Sequence, residues 1–247
     1  MNDTLRALAC LDLTNLEDDC TEADIALLCE RAVTPHGAVA AVCIWPRFVA
    51  QAVEALGGTP VRIATVVNFP GGDKPLDEMI AETKSAIDDG AHEIDLVIPY
   101  RRLAEDAGMV AAYVSDVRRA ATGVTLKTII ETGELKDEAA IRLASEVCLA
   151  AGADFLKTST GKVPVNAKPE AARLMLETIH DHGAGAGFKA AGGIRTPAIA
   201  AAYLALADEI MGKEWASPKT FRFGASGLLD ALLAELEGNE APTGTGY

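Results

Sequence analysis

An α/β fold, a (β/α)8 TIM barrel with a short N-terminal helical extension, is what this sequence predicts, on three observations. The chain has 247 residues, close to the roughly 250 of a typical single-domain barrel. Short apolar runs alternate with stretches of helical spacing, the pattern of a parallel sheet wound with crossover helices. Eight such runs in this length favour a closed barrel over an open sheet.

Residues 1–36 read as a mostly helical lead-in, with one apolar cluster at Leu5, Leu8, Leu11 and Leu13 and another at Ile25, Leu27 and Leu28. The eight strand-like runs then fall at 39–44, 62–68, 93–99, 124–130, 154–158, 186–190, 208–211 and 221–224. Between them, Leu76, Met79, Ile80, Thr83 and Ile87 mark one helix face, and Ile141, Ala144, Ser145, Cys148 and Leu149 mark another. Thr196–Pro197 is a good N-cap and N1 pair for a further helix. The gap between the seventh and eighth runs is short for a helix. Residues 238–247 read as a loose tail, so the whole of 1–247 is expected to be one barrel domain.

Composition excludes several classes. Hydrophobic residues at 49% and charged residues at 23% are ordinary for a soluble globular protein. A net charge of −14 argues against nucleic acid or an anionic membrane as partner. Five cysteines with no C-x-x-C pair read as reduced thiols in a cytoplasmic protein. No apolar stretch reaches the roughly 18 residues of a membrane span. Phe188 breaks a Rossmann glycine pattern in the 183–188 segment, and Gly161-Lys162 runs into Val163 rather than completing a Walker sequence. Gly224–Leu228 fails the nucleophile-elbow pattern at its last position. His180 and His182, two apart, make a poor metal pair, and His36 and His92 stand alone. No metal site is expected.

The chemistry concentrates in the segment 154–162, DFLKTSTGK. An apolar strand there delivers Lys157, and a short polar turn leads to Lys162. Burial disfavours a charged lysine, and a neutral amine attacks a carbonyl to form a Schiff base. A free lysine is neutral in only about one molecule in 2,500 at pH 7, so a nucleophilic lysine needs such help. Other runs repeat the feature. Asp95 follows Gly90 and Lys157 follows Gly152 by five residues, while Lys127 and Lys189 follow Gly123 and Gly183 at similar distance. The third to sixth runs thus each carry one charge at similar depth. Facing the helices, four such charges would be buried unpaired. Converging in a barrel, Asp95 neutralises one lysine while a like charge pushes another toward its neutral form. Glycine-rich turns at Gly192-Gly193-Ile194-Arg195 and Gly224-Ala225-Ser226-Gly227, with Lys162 nearby, offer backbone N–H groups suited to phosphate.

These residues sit in blocks that resemble the deoxyribose-phosphate aldolases, a family of class I (Schiff-base) aldolases with a (β/α)8 barrel. The blocks are LDLTNL at 11–16, AVCIWPRF at 41–48, EIDLVIPYR at 93–101, LKTIIETGELKDEA at 126–139, ADFLKTSTGK at 153–162, GFKAAGGIR at 187–195 and FRFGAS at 221–226. The resemblance implies that Lys157 is the Schiff-base nucleophile. It makes Lys189 the cation that lowers its pKa, and Asp95 with bound water the proton shuttle. Asp12, Thr14, Cys43, Lys127 and Thr160 would line the substrate. Gly161, Lys162, Gly192, Gly193, Gly224 and Ser226 would bind phosphate, with Arg195 close by, and the terminal Tyr247 would assist proton transfer. The implied reaction is reversible aldol cleavage of 2-deoxy-D-ribose 5-phosphate to D-glyceraldehyde 3-phosphate and acetaldehyde, with no metal or organic cofactor. Partners would be small phosphorylated sugars and aldehydes, with a homodimer as the family-level expectation.

Two residues depart from the family pattern. Gly227 stands where many relatives carry a second serine, and Ala190 follows Lys189 where proline is frequent. Weaker phosphate binding and a looser strand end are the corresponding expectations. Three other readings fit the same residues: a Schiff-base aldolase for another phosphorylated sugar, a phosphate-binding barrel isomerase using acid–base chemistry, and a non-catalytic sugar-phosphate binder. The Asp95–Lys157–Lys189 set weighs against the binder, which has no need to bury two lysines together.

Overall fold

Eight parallel strands close into a barrel in the computed structural model, which describes residues 2–135, 137–183 and 185–239. They are β1 (Leu11–Asn15), β2 (Ala41–Ile44), β3 (Arg62–Val67), β4 (Glu93–Val97), β5 (Thr125–Ile129), β6 (Phe155–Lys157), β7 (Gly187–Ala191) and β8 (Phe221–Ala225). Each pairs with its neighbours in sequence, and β8 closes on β1 with Leu11 opposite Phe223. Every residue of β2, β4, β6, β7 and β8 is buried, as befits strands covered on both faces.

The number of strands matches the sequence expectation, but one member differs. The run 208–211 is the last turn of a helix, α9 (Pro197–Met211), not a strand. Four apolar-flanked residues carry too little periodicity to separate the two states. The eighth strand is instead β1, inside the segment expected to be helical. Its Leu11 and Leu13 alternate with Asp12 and Thr14, and all four are buried. This is the period of a strand whose second face meets a polar interior rather than water. The helical extension is therefore only α1 (Asp3–Ala9), capped by the Asn2 side chain. The next helix, α2 (Glu22–Arg31), is already the first crossover, opened by a Thr21–Asp24 capping box.

The outer ring continues with α3 (Val49–Leu56), α4 (Leu76–Asp88), α5 (Ala107–Ala120), a single turn α6 (Thr132–Leu135), α7 (Glu138–Ala150), α8 (Pro169–His182), α9 and α10 (Leu228–Leu236). The expected stripe on α7 is buried in full. On α4, Met79 and Thr83 are buried while Leu76, Ile80 and Ile87 are half-buried. Thr196 caps α9, accepting the Ile199 N–H at 3.2 Å, with Pro197 behind it.

Close approach rather than turn geometry fixes one strand glycine. A Cβ on Gly187 would lie 2.4 Å from the Phe155 ring, which fills the lower end of the barrel beneath Arg222. Gly187→Ala is expected to cost about 1–3 kcal/mol through overpacking. Denaturant unfolding checks it; an unchanged midpoint would refute the assigned packing.

Candidate active site

The period of two within a strand carries the charges into the barrel. On β4 it turns Glu93 and Asp95 inward together, and on β8 it turns Arg222 inward two residues before Gly224. Asp12 enters from β1, Lys127 from β5, Lys157 from β6 and Lys189 from β7. The four expected strand charges do converge, though at two levels. Asp95 stands opposite Lys127, which stands opposite Phe155, whereas Lys157 stands opposite Lys189. Strand stagger in a closed barrel produces this offset, and the reach of the lysine side chains closes it.

Asp95 is the hub. Lys127 Nζ donates to its Oδ1 at 2.7 Å, while Lys157 Nζ and Lys189 Nζ both donate to Oδ2 at 2.8 Å. Lys189 also donates to Asp12 Oδ2 at 2.5 Å, and Lys127 lies 2.6 Å from Glu93 Oε2. Toward the N-terminal end, Arg222 donates to Asp12 Oδ1 at 2.6 Å and to both Glu93 oxygens at 2.9 and 3.1 Å. The Cys43 thiol is 3.9 Å from Asp95 Oδ2, and the Thr14 hydroxyl donates to the Asp12 carbonyl at 2.8 Å.

Counting charges decides which amine is weak. Inside the barrel three acids, Asp12, Glu93 and Asp95, face four buried bases, Lys127, Lys157, Lys189 and Arg222, and the exposed Arg62 reaches Glu93 at 3.7 Å. Lys127, Lys189 and Arg222 each meet at least two acids. Lys157 meets one carboxylate oxygen, which Lys189 shares. Burial, helped by the Lys189 cation, accordingly pushes the Lys157 amine below the usual lysine range, against the pull of Asp95. Against the same burial, Asp12 and Asp95 hold Lys189 well above that range, and Asp95 with Glu93 holds Lys127 above it. Burial disfavours the Asp95 carboxylate, but Lys127, Lys157 and Lys189 outweigh it and keep Asp95 ionised. Burial pushes Cys43 up, so it is a thiol. The arrangement brings an amine with a lowered pKa, an ionised carboxylate and a strongly held cation together in one buried interior.

The candidate phosphate residues ring the C-terminal mouth. Gly161, Gly192 and Gly193 have φ of 82°, 83° and 83°, open to glycine at little cost. The Gly192 N–H donates to the Gly224 carbonyl at 3.4 Å, and Lys162 Nζ lies 3.7 Å from Glu17. Ser226, with Thr14 and Glu17, borders a cavity of about 410 Å³, and α10 starts just beyond it. Arg195 is exposed beside the Gly192–Gly193 turn. Gly224 lies within β8 rather than in the turn after it, and a Cβ there would come 3.0 Å from Lys189 Cε. Its lack of a side chain lets Lys189 cross the barrel. Ala190 faces away from the site, on the outward side of β7, and Tyr247 lies outside the described residues.

Three participants escaped the sequence reading. Glu93 and Arg222 complete the charge ladder, and their signal was the two-residue spacing from Asp95 and Gly224. Glu131, buried just after β5, accepts from the Thr160 hydroxyl at 2.6 Å; nothing in its local sequence marks it. His92 Nδ1 accepts the Ile63 N–H at 3.0 Å, and His180 and His182 are exposed at the end of α8. Among the described residues, no three His, Cys, Asp or Glu side chains are grouped to hold a metal ion.

Comparison with known proteins places this geometry in company. A family profile described as DeoC/LacD family aldolase matches residues 6–230. The deoxyribose-phosphate aldolase of Agrobacterium fabrum is 58% identical over 244 residues, covering 97% of this chain and 94% of that one. A solved candidate deoxyribose-phosphate aldolase from Coccidioides immitis superposes with a TM-score of 0.85 at 30% identity, covering 94% of this chain and 87% of that one. The deoxyribose phosphate aldolase from Aeropyrum pernix, whose structure is tetrameric, gives 0.79 at 25% identity, with 94% and 92% covered.

Proposed function

The chain belongs to the DeoC/LacD family of aldolases, and from that premise we propose that it cleaves 2-deoxy-D-ribose 5-phosphate reversibly to D-glyceraldehyde 3-phosphate and acetaldehyde. The observation that carries this reading is the undercompensated amine of Lys157, 2.8 Å from an ionised Asp95 that also holds Lys189.

Neutral Lys157 Nζ adds to the C1 aldehyde of the open sugar. The carbinolamine takes up a proton at its hydroxyl from solvent and loses water, leaving a protonated imine. Asp95, acting through a bound water, takes the proton of the C3 hydroxyl. The C2–C3 bond then breaks, its electrons flow into the iminium, and glyceraldehyde 3-phosphate leaves an enamine on Lys157. The proton taken by Asp95 is returned through the same water to C2 and restores the protonated imine, which water hydrolyses to acetaldehyde and free amine with release of the proton first taken up. The imine is the electron sink, so this sequence of steps calls on no metal or organic cofactor. Lys189 stays charged throughout and keeps the free amine from gaining a proton. Asp12 holds Lys189, and Lys127 holds Asp95. Gly161, Lys162, Gly192, Gly193 and Ser226, with Arg195 at the rim, receive the phosphate through N–H groups and cations. Thr160 belongs to the same turn.

The proposal extends to a cytoplasmic location, in keeping with five cysteines that are all free and buried, and to a homodimer. Among the described residues no helix is long and apolar enough to cross a membrane. The reading is tested by borohydride reduction in the presence of acetaldehyde, followed by peptide mapping. A reduced two-carbon adduct on Lys157, absent from Lys157→Met, is the expected result. An active enzyme that yields no adduct would defeat the Schiff-base reading. Adduct formation without turnover of deoxyribose 5-phosphate would move the substrate to another phosphorylated sugar.

A further inference from the structure

Glu131 is fully buried, lies outside the charge ladder and has no part in the steps above. It follows β5 in the left-handed region, φ 55°, a conformation unfavourable for a residue with a Cβ. That kink turns its carboxylate onto the segment joining Lys157 to Lys162. The Thr160 N–H donates to both carboxylate oxygens at 3.2 and 3.3 Å, and the Thr160 hydroxyl donates at 2.6 Å. The same hydroxyl accepts the Lys162 N–H at 3.0 Å. A continuous chain of hydrogen bonds thus runs from Glu131 through Thr160 to the backbone of Lys162.

The neighbours of Glu131 grip the same segment. The Ile130 N–H donates to the Lys157 carbonyl at 3.1 Å, and the Thr132 N–H to the Thr158 carbonyl at 2.9 Å. Gly133 lies so close beneath the following loop that a Cβ would come 1.9 Å from the Val165 carbonyl oxygen. From the opposite side, a Cβ on Gly192 would meet Asn166 at 2.7 Å, and the Ala167 N–H donates to the Ala191 carbonyl at 3.3 Å. Residues 158–167 are therefore clamped between the turn at Glu131 and the turn at Gly192. Burial pushes the Glu131 carboxyl up, while the hydrogen bonds from the Thr160 hydroxyl and N–H favour its ionised form.

We propose that Glu131 is the positioning residue for phosphate recognition: it fixes the Thr160–Lys162 turn so that Gly161 and Lys162 meet the substrate phosphate, while leaving imine chemistry at Lys157 untouched. The inference rests on the aldolase reading for its substrate but not for its geometry. Glu131→Ala and the isosteric Glu131→Gln test it. Three quantities are read: KM and kcat for 2-deoxyribose 5-phosphate and for unphosphorylated 2-deoxyribose, the Kd of inorganic phosphate by 31P NMR titration, and acetaldehyde trapping at Lys157.

In Glu131→Ala, KM for the phosphorylated sugar and the phosphate Kd are expected to rise about tenfold or more, the scale of a lost charge-assisted pair. Glu131→Gln, which keeps one acceptor oxygen, should fall between it and the parent. Activity on the unphosphorylated sugar and trapping should fall far less than phosphate affinity, since the hydrogen bonds lost run to Thr160, and the Lys157 charge acts on Glu131 only as a minor influence. Equal losses for both sugars, trapping reduced as much as phosphate affinity, or unchanged phosphate affinity would overturn the inference. If Glu131→Ala fails to fold, the ratio between the two sugars in Glu131→Gln decides. If the parent itself forms no imine, the aldolase reading fails, and the phosphate titration alone then supports or overturns the role of Glu131.

Discussion

Lys157→Met is expected to lower kcat by at least about 10⁴-fold, as loss of a covalent nucleophile does, and at the same time to raise the melting temperature. The first half follows from the proposed imine at Lys157. The second follows from the charge count, in which Lys157 is the fourth cation facing three carboxylates and shares its single contact with Lys189. Methionine fills nearly the same space without an amine to desolvate, and exchange of a poorly compensated buried charge for an apolar group of similar volume is neutral to stabilising. A gain near 1 kcal/mol corresponds to about 2–4 °C in a chain of this size. The sign with pH is fixed by linkage. The folded pKa of Lys157 is depressed, so between that value and the ordinary lysine value the unfolded chain binds more protons, and wild-type stability rises with pH. The advantage of Lys157→Met should therefore be largest below the folded pKa and fade as pH approaches about 10.4. Differential scanning calorimetry across pH reads it. A melting temperature that falls by several degrees at neutral pH would show that Lys157 is stabilised by contacts the charge count leaves out.

What the sequence disclosed follows the same physics. Asp95, Lys127, Lys157 and Lys189 were legible because each is a charge set in an otherwise apolar run, where burial makes an ionisable group costly without a partner. Asp12 was harder to place. Its strand alternates leucine with polar residues, and alternation ordinarily signals one face in water; in this barrel the polar face of β1 points at lysines. The opposite error arose at 208–211, where a helix end buried against its neighbours looks apolar throughout. Glu93 and Arg222 were hidden for a different reason. Each lies near a strand's N-terminal end, where an exposed charge is the usual expectation, and only the closed barrel turns them toward Asp12 and Lys127. Glu131 left no local trace, because its partner Thr160 is 29 residues away and a left-handed glutamate has no sequence signature. The positions of the glycines at Gly133, Gly187 and Gly224 are likewise set by what packs against them.

Lys189→Met should act in the opposite sense on both stability and pH dependence, which separates its role from that of Lys157. With Lys189 gone, three buried cations, Lys127, Lys157 and Arg222, face three acids, and the cation that shares Asp95 Oδ2 with Lys157 is removed, leaving Lys127 on the other oxygen. Removal of that like charge favours the protonated amine, so kcat/KM at pH 7 is expected to fall about 100-fold. The loss should be returned in large part at higher pH, where Lys157 sheds its proton without help. Borohydride trapping by acetaldehyde as a function of pH isolates this effect, since imine formation needs the free amine but not the cleavage steps. Stability should fall by about 3 kcal/mol, because Asp12 and Asp95 each lose a buried partner. Its pH course is fixed as well. Asp12 and Asp95 hold the folded pKa of Lys189 above the ordinary value, so its contribution is complete below the unfolded lysine pKa and is lost as pH rises through the folded one. The deficit of Lys189→Met should accordingly persist across neutral pH and narrow only in strong alkali. A loss of trapping that is the same at every pH would sink this account, because it would make Lys189 a structural partner of Asp12 rather than the charge that keeps Lys157 neutral.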